Sequence, residues 1–312
     1  MSAIALLGAL ELGLVFGLVA LGVYLSFRVL QFPDLTVDGS FPLGAAVAAT
    51  LIVHAVDPWL ATLAAALAGA LAGLTTAWLH LRLGILHLLA SILTMIALYS
   101  INLRIMGRPN VALLGERTVL SPLQDGPAPA YVLTPLAFAV AVFAIKGLLD
   151  RFLNSEIGLA LRATGANPRM ARAQGIRTER VILLGLALSN ALVALAGALF
   201  AQAQGSADVT LGVGVIVVGL AAVIGGEALL DPRTVARATT ACILGSLLYR
   251  LLVALALNAD FLGLQAQDLN LVTALLVAVA LLVPGYKRKL AGLFQAKAPK
   301  ALPVNPVQKE AR

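Results

Sequence analysis

The feature that most limits this chain is a series of apolar runs of membrane-spanning length, divided by short stretches rich in Pro, Gly, Arg and Asp. A hydrocarbon core about 30 Å thick takes about 20 apolar residues of helix. It also holds no water to pair a free backbone N–H or C=O, so helices are the natural way across. Runs of this kind cover 3–27, 41–57, 59–80, 84–105, 131–149, 181–203, 211–226, 236–257 and 269–284. Composition agrees: 60% of the 312 residues are hydrophobic and 12% charged, a balance no soluble domain of this length shows. The expected fold class is an all-α integral membrane protein, a polytopic bundle of about 8–10 transmembrane helices. Residues 1–286 form one transmembrane domain in this reading, and 287–312 a basic, solvated, disordered tail. The first run lacks a basic leader and is interrupted by Glu11, so it reads as a span and not as a cleaved signal peptide.

The net charge of +7 is distributed as the positive-inside rule requires, not as a nucleic-acid footprint. Arg151, Arg162, Arg169, Arg172, Arg177 and Arg180 crowd 150–180, and Lys287, Arg288 and Lys289 follow the last run. Both segments are expected on the cytoplasmic side of a bacterial inner membrane. Alternation then puts Arg28, Arg82, Arg233 and Arg237 inside, and the N-terminus and 106–130 outside. The 29–44 stretch reads either as a turn or as a re-entrant segment, and 205–226 as a broken helix plus a span. Two short matches recur at an offset of 174, Leu18–Leu21 with Leu192–Leu195 and Asp34-Leu35-Thr36 with Asp208-Val209-Thr210. The residues between match poorly, so an inverted-topology repeat and coincidence both remain open.

Three features carry mechanism. Residues 156–164 and 168–174 fit two short helices, with Asn167 as N-cap, Pro168 at the first helical position and Gly165 and Gly175 as left-handed stops. Polar and helix-breaking residues collect at Phe32-Pro33-Asp34-Leu35-Thr36-Val37-Asp38-Gly39-Ser40, tolerated at membrane depth only inside protein or beside a wet cavity. Ser91, Thr94 and Asn102 fall on one stripe of the fourth run, where they either line a path or join helices. Asp34, Thr36, Asp38, Ser91, Thr94, Asn102, Gly225 and Gly226 are therefore the candidate pathway residues. Glu11 is expected to be paired, protonated or turned inward, and Arg250 to snorkel toward the outer interface. His54 and His87 have no partner spacing, and Cys242 reads as a small buried hydrophobe. No Gly-x4-Gly-Lys-Ser/Thr, His-Glu-x2-His, cysteine pair or Gly-x-Ser-x-Gly occurs. Neither a nucleotide cradle, a metal site nor a hydrolase is expected, and energy must come from a partner or an ion gradient.

The run Gly158-x3-Arg162-Ala163-x-Gly165-x-Asn167-x3-Ala171-x3-Gly175-Ile176 resembles the coupling region of ABC importer permeases of the branched-chain amino acid and ribose group. The likeness extends through Ala222-Val223-Ile224-Gly225-Gly226 and, earlier, Gly17–Gly22 and Gly39-x4-Gly44. The Asp34 segment resembles the subset described as tryptophan/tyrosine transport systems. This resemblance implies a permease subunit with no catalytic residue or cofactor of its own, paired with itself or a paralogue. It implies ATP and Mg in separate ATP-binding cassette subunits and a solute-binding protein outside, meeting the proline-stiffened 106–130 loop. Gly158, Arg162, Ala163, Gly165, Asn167, Pro168, Ala171, Gly175 and Ile176 would couple to the ATPase. An amino acid, aromatic or branched-chain, is the first expected solute, then a sugar or nucleoside. The competing expectation is an ion-coupled carrier using Glu11 or Asp34.

Overall fold

A computed structural model describes residues 3–124, 129–257, 275 and 278. The expected 269–284 span and the 287–312 tail lie outside the described residues, apart from those two positions. Helix α1 (Ala3–Val23) runs on as a π-helical turn (Tyr24–Val29) and is followed by an irregular stretch to residue 36. Then come α2 (Val37–Val53), α3 (Pro58–Leu83), α4 (His87–Met106), strand β1 (Asn110–Ala112), α5 (Ser121–Gln124) and α6 (Ala130–Leu153). The second half holds α7 (Glu156–Ala166), α8 (Pro168–Ala173), α9 (Thr178–Gln204) and β2 (Ser206–Asp208). A 3-10 turn (Val209–Gly212), α10 (Val215–Leu229) and α11 (Val235–Leu257) complete it. Seven stretches among the described residues are long and apolar enough to cross a membrane, and α2 is a shorter apolar helix.

Local chemistry sets the boundaries. Asp57 caps α3, its Oδ1 accepting from the Trp59 and Leu60 N–H groups at 2.9 and 3.3 Å, with Pro58 in the first turn. Gly84 and Gly107 stop α3 and α4 in the left-handed conformation, at φ of 68° and 66°. The second span begins at Val37, not at residue 41 as expected, because the Thr36 carbonyl accepts from the Gly39 and Ser40 N–H groups at 2.8 Å each, and the helix so started takes in Pro42. Its missing N–H leaves the Asp38 carbonyl without a helical partner, and Gly212 packs against that carbonyl.

Helix α1 is buried from Gly13 to Val23, a stretch without a polar side chain, with Val15, Leu18, Val19, Leu21 and Val23 at 0% exposure. It is the centre of the bundle, wrapped by α6, α9, α10 and α11. Leu63, Leu67 and Leu71 on α3, Leu93 and Ile96 on α4, and Leu136 and Val140 on α6 form the outward apolar belt. Apolar surface of this extent is at ease only against lipid or another apolar face.

The 174-residue offset is structural. α3 packs along α9 and α2, and α11 packs along α1 and α10, so exchanging α1 with α9, α2 with α10 and α3 with α11 maps the packing among these six helices onto itself. Phe16 meets Phe200 while Gly22 meets Val193, so α1 and α9 run antiparallel. Gly13 faces Leu247. Adding 174 to the first number and subtracting it from the second gives Ala187 and Gly73, and a Cβ on Gly73 would stand 3.0 Å from the Ala187 nitrogen. The two Asp-x-Thr matches form the same turn: Asp34 Oδ1 accepts from Thr36 N at 3.0 Å and Asp208 Oδ1 from Thr210 N at 2.8 Å. The repeat reading stands and coincidence does not.

One end of the bundle gathers Arg28, Arg82, Arg151, α7–α8, Arg233 and Arg237. Contacts tie these parts together: Arg28 pairs with Glu227, Phe32 meets the His80 and His87 rings, and Gly165 abuts Val29. The opposite end carries the antiparallel β1–β2 pair, Val111 facing Ala207. Here Gln202 Oε1 accepts from Val119 N at 3.0 Å while its Nε2 donates to Thr62 Oγ1 at 2.9 Å. Strand pairing and this amide shape the loop after α4, as well as its prolines; Asp125 and Pro127 lie outside the described residues.

Close helix contact makes a sharp stability prediction. Gly73→Leu drives a side chain into the Leu186 carbonyl and should cost at least about 3 kcal/mol, read as a lower thermal midpoint in detergent. Gly147→Ala meets nothing within 4 Å and should stabilise α6 by about 0.5–1 kcal/mol.

Candidate coupling platform and solute cavities

Helices α7 and α8 form a platform anchored from below. Asn167 caps α8 as expected, its Oδ1 accepting from Arg169 N and Met170 N at 3.1 Å each, with Pro168 in the first turn. Gly175 has φ of 83°, so the stop expected there is real. Gly165 is different. It lies within α7, which extends to Ala166, and has no positive φ. Its missing side chain matters because a Cβ there would collide with the Val29 carbonyl, where the π-helical turn ends. Gly158 likewise abuts Phe152 O and Leu153.

The nine candidate coupling residues thus divide by burial. Gly158, Gly165 and Ala171 are buried and seat the platform. Ala163, Asn167, Pro168 and Gly175 are exposed, and Ile176 is half-buried. Arg162 is half-buried as well, and its Nε has no hydrogen-bond partner among the described residues. The exposed face also bears Arg169, Arg172 and Met170, the last 61% exposed. It is basic with an apolar point.

The candidate pathway residues do not form one path. Asp34 and Thr36 are fully buried. Asn190 Nδ2 donates to Asp34 Oδ2 at 2.7 Å, Ser40 Oγ donates to Asn190 Oδ1 at 2.7 Å, and the Thr36 and Thr76 hydroxyls share a hydrogen bond of 2.7 Å. This network ties the irregular segment to α2, α3 and α9. Asp38 instead caps α10 across the repeat, its Oδ1 accepting from Ile216 N at 2.7 Å and its Oδ2 from Gly214 N at 3.4 Å. A carboxylate at a helix N-terminus also meets the favourable end of the dipole.

Asp38 and Asn102 do meet, with Tyr99 and Thr210, around a cavity of ≈ 410 Å³. Asn102 Nδ2 donates to Gly39 O at 3.3 Å, while Ser91 and Thr94 donate to carbonyls of their own helix. The fourth-run stripe therefore joins and settles helices, with Asn102 alone bridging to α2. Gly226 packs against Ala241 O, and Gly225 meets nothing within 4 Å. Near the opposite end, Asp208 lies outside the spans, and the Thr210 hydroxyl and N–H hold its carboxyl below the usual range.

Several features escaped sequence reasoning. His80 and His87 are not isolated; the left-handed turn at Gly84 folds α4 back and brings their rings to 4.1 Å. Asn190, Ser189 and Gln202 are buried polar anchors in α9 that no spacing rule singled out. Arg250 does not snorkel. It turns inward, its guanidinium 4.0 Å from the centre of the Phe16 ring. Glu11 is half-buried and belongs to none of the three described ion pairs.

Known proteins resemble this chain along most of its length. Residues 5–283 match the family described as branched-chain amino acid transport system / permease component. A tyrosine transport system permease protein of Clostridioides difficile is 39% identical over 273 residues, covering 87% of this chain and 88% of its own. An uncharacterized protein of Rickettsia prowazekii is 34% identical over 88% and 96%. A ribose import permease protein of Haemophilus influenzae is 25% identical over 81% and 76%. With seven membrane-length helices among its described residues, this chain is a multi-pass member of the branched-chain amino acid permease family of ABC-type transport systems, a transport subunit and not an enzyme.

Proposed function

We propose that the chain is the permease subunit of a bacterial inner-membrane ABC importer and carries an aromatic amino acid delivered by an external binding protein. The observation that carries this reading is the seating of Gly165 against Val29. An ATPase pressing on the exposed face of α7–α8 would move that face as a unit with the end of α1, the helix at the centre of the bundle. Coupling of this kind needs a packed, two-state element and not a flexible loop. ATP and Mg then belong to the partner subunits, and residues 1–286 act as one transmembrane domain with a second permease copy or paralogue beside it. The tyrosine label of the Clostridioides difficile relative supports the solute class.

An ion-coupled carrier would have to use Glu11 or Asp34. Asp34 fits poorly, because both its oxygens already accept hydrogen bonds, Oδ1 from Thr36 N in its own segment and Oδ2 from Asn190 in α9. Purified protein alone in liposomes should show no tyrosine uptake driven by a pH gradient, whereas co-expressed ATPase and binding protein should confer ATP-dependent uptake. Gradient-driven uptake by the chain alone, lost in Glu11→Gln, would overturn the importer reading.

Two coupling variants separate seating from docking. Arg169→Glu with Arg172→Glu changes only exposed positions. It should leave thermal stability within about 0.5 kcal/mol and reduce ATPase co-purification about tenfold. Gly165→Val should lower stability as well as uptake, by at least about 2 kcal/mol, since the obstacle is backbone. Normal co-purification by the double charge variant would mean α7–α8 is not the docking face.

A further inference from the structure

The bundle contains a cavity that no coupling or capping role explains. It measures ≈ 550 Å³ and is bordered by Phe16, Phe41, Phe200, Gln204, Tyr249 and Arg250. These residues come from α1 and α2 of one repeat and α9 and α11 of the other, so the cavity lies where the repeats meet. Phe41 and Phe200 rings are 5.5 Å apart, and Phe16 stands 5.7 Å from Phe41 and 6.0 Å from Phe200. Arg250 lies over the Phe16 ring, and its buried Nε has no hydrogen-bond partner among the described residues. No carboxylate borders the cavity among the described residues. A guanidinium held inside a membrane bundle is costly without a counter-charge, and a ring face offsets only part of that cost.

We infer that this cavity is the solute site in transit: Arg250 takes the carboxylate of an aromatic amino acid, and Phe16, Phe41 and Phe200 hold its ring. The inference rests on the importer reading and specifies its site. A guanidinium presents parallel N–H donors that match a carboxylate, and an unpaired Nε–H is one of them. The three rings offer the tilted and edge-on surfaces on which another ring stacks. Gln204 supplies a neutral amide for the remaining polar group, so the ammonium is accepted without a fixed acid that would repel the carboxylate. A cavity of this size with one charge and an aromatic lining suits a small amphipathic anion or zwitterion and not a sugar, which needs many hydrogen-bonding groups. Positions 16, 41, 200 and 250 did not figure among the candidate pathway residues because no local motif connects them.

The test is uptake of radiolabelled L-tyrosine by the complete transporter, with the amount of assembled complex measured for each variant. Arg250→Gln should lower uptake about tenfold or more at unchanged complex level, and Arg250→Lys should restore part of it, since a charge remains without the planar fork. Phe200→Leu, which keeps apolar bulk but removes a ring, should lower uptake of tyrosine more than that of leucine if leucine is also carried, and otherwise simply lower it. Wild-type import of tyrosine with undiminished uptake in both Arg250→Gln and Phe200→Leu would overturn the site and leave the importer reading intact. That result would also be expected if a phospholipid headgroup were what Arg250 holds. A complete transporter that imports no carboxylate-bearing solute would overturn both.

Discussion

The bundle depends on how closely other helices can approach α9. Inside a bilayer, apolar side chains gain little by leaving lipid for protein, so helices associate through tight van der Waals contact and a few buried hydrogen bonds. Around α9 that contact reaches backbone. Gly44 lies against Ala194, Gly69 against Asn190, Gly73 against Leu186, and Gly197 receives the Phe41 carbonyl. Each allows a separation that any side chain would forbid. The same approach brings Asn190 within reach of Asp34 and Ser40, so the polar network is a consequence of the small-residue seam. Without it, the buried Asp34 side chain would have one fewer donor, a cost of about 1–3 kcal/mol.

Exchange symmetry then gives the bundle two equivalent halves, though they are used differently. In the first half Asp34 is enclosed and Asp38 crosses to cap α10; in the second, the matching Asp208 is half-buried and holds Asn110 and Thr210 at the strand end. Gly212 occupies the position equivalent to Asp38, and it is the residue pressed against the Asp38 carbonyl. One repeat thus supplies a carboxylate and the other a gap for its backbone.

The two ends divide the work. Glycine contacts seat α7–α8 on the turn that finishes α1, and Arg28–Glu227 and Asp150 with Lys146 and Thr239 tie α1, α6, α10 and α11 nearby. At the other end, β1–β2 and Gln202 give the loop after α4 a defined shape. Between them lies a cavity with one arginine and three phenylalanines, the only place among the described residues where a cation without a hydrogen-bonding partner faces rings.

Hydropathy and caps were legible in the sequence because they are local: span positions, the Asn167, Pro168 and Gly175 signals, and the basic run at 150–180 each act over one or two helical turns. The repeat was faintly legible, since two Asp-x-Thr turns survive where the intervening side chains have diverged. Tertiary structure alone decided what a given glycine or polar residue is for. Gly165 reads as a helix stop by its neighbours, but a carbonyl 136 positions earlier in the chain gives it a different role. Arg250 reads as a snorkelling residue by its depth in the span, but the side of α11 it occupies turns it onto Phe16. In a bilayer every helix is apolar enough to face any way, so sequence sets which segments cross; close packing between segments distant in the chain decides which faces meet.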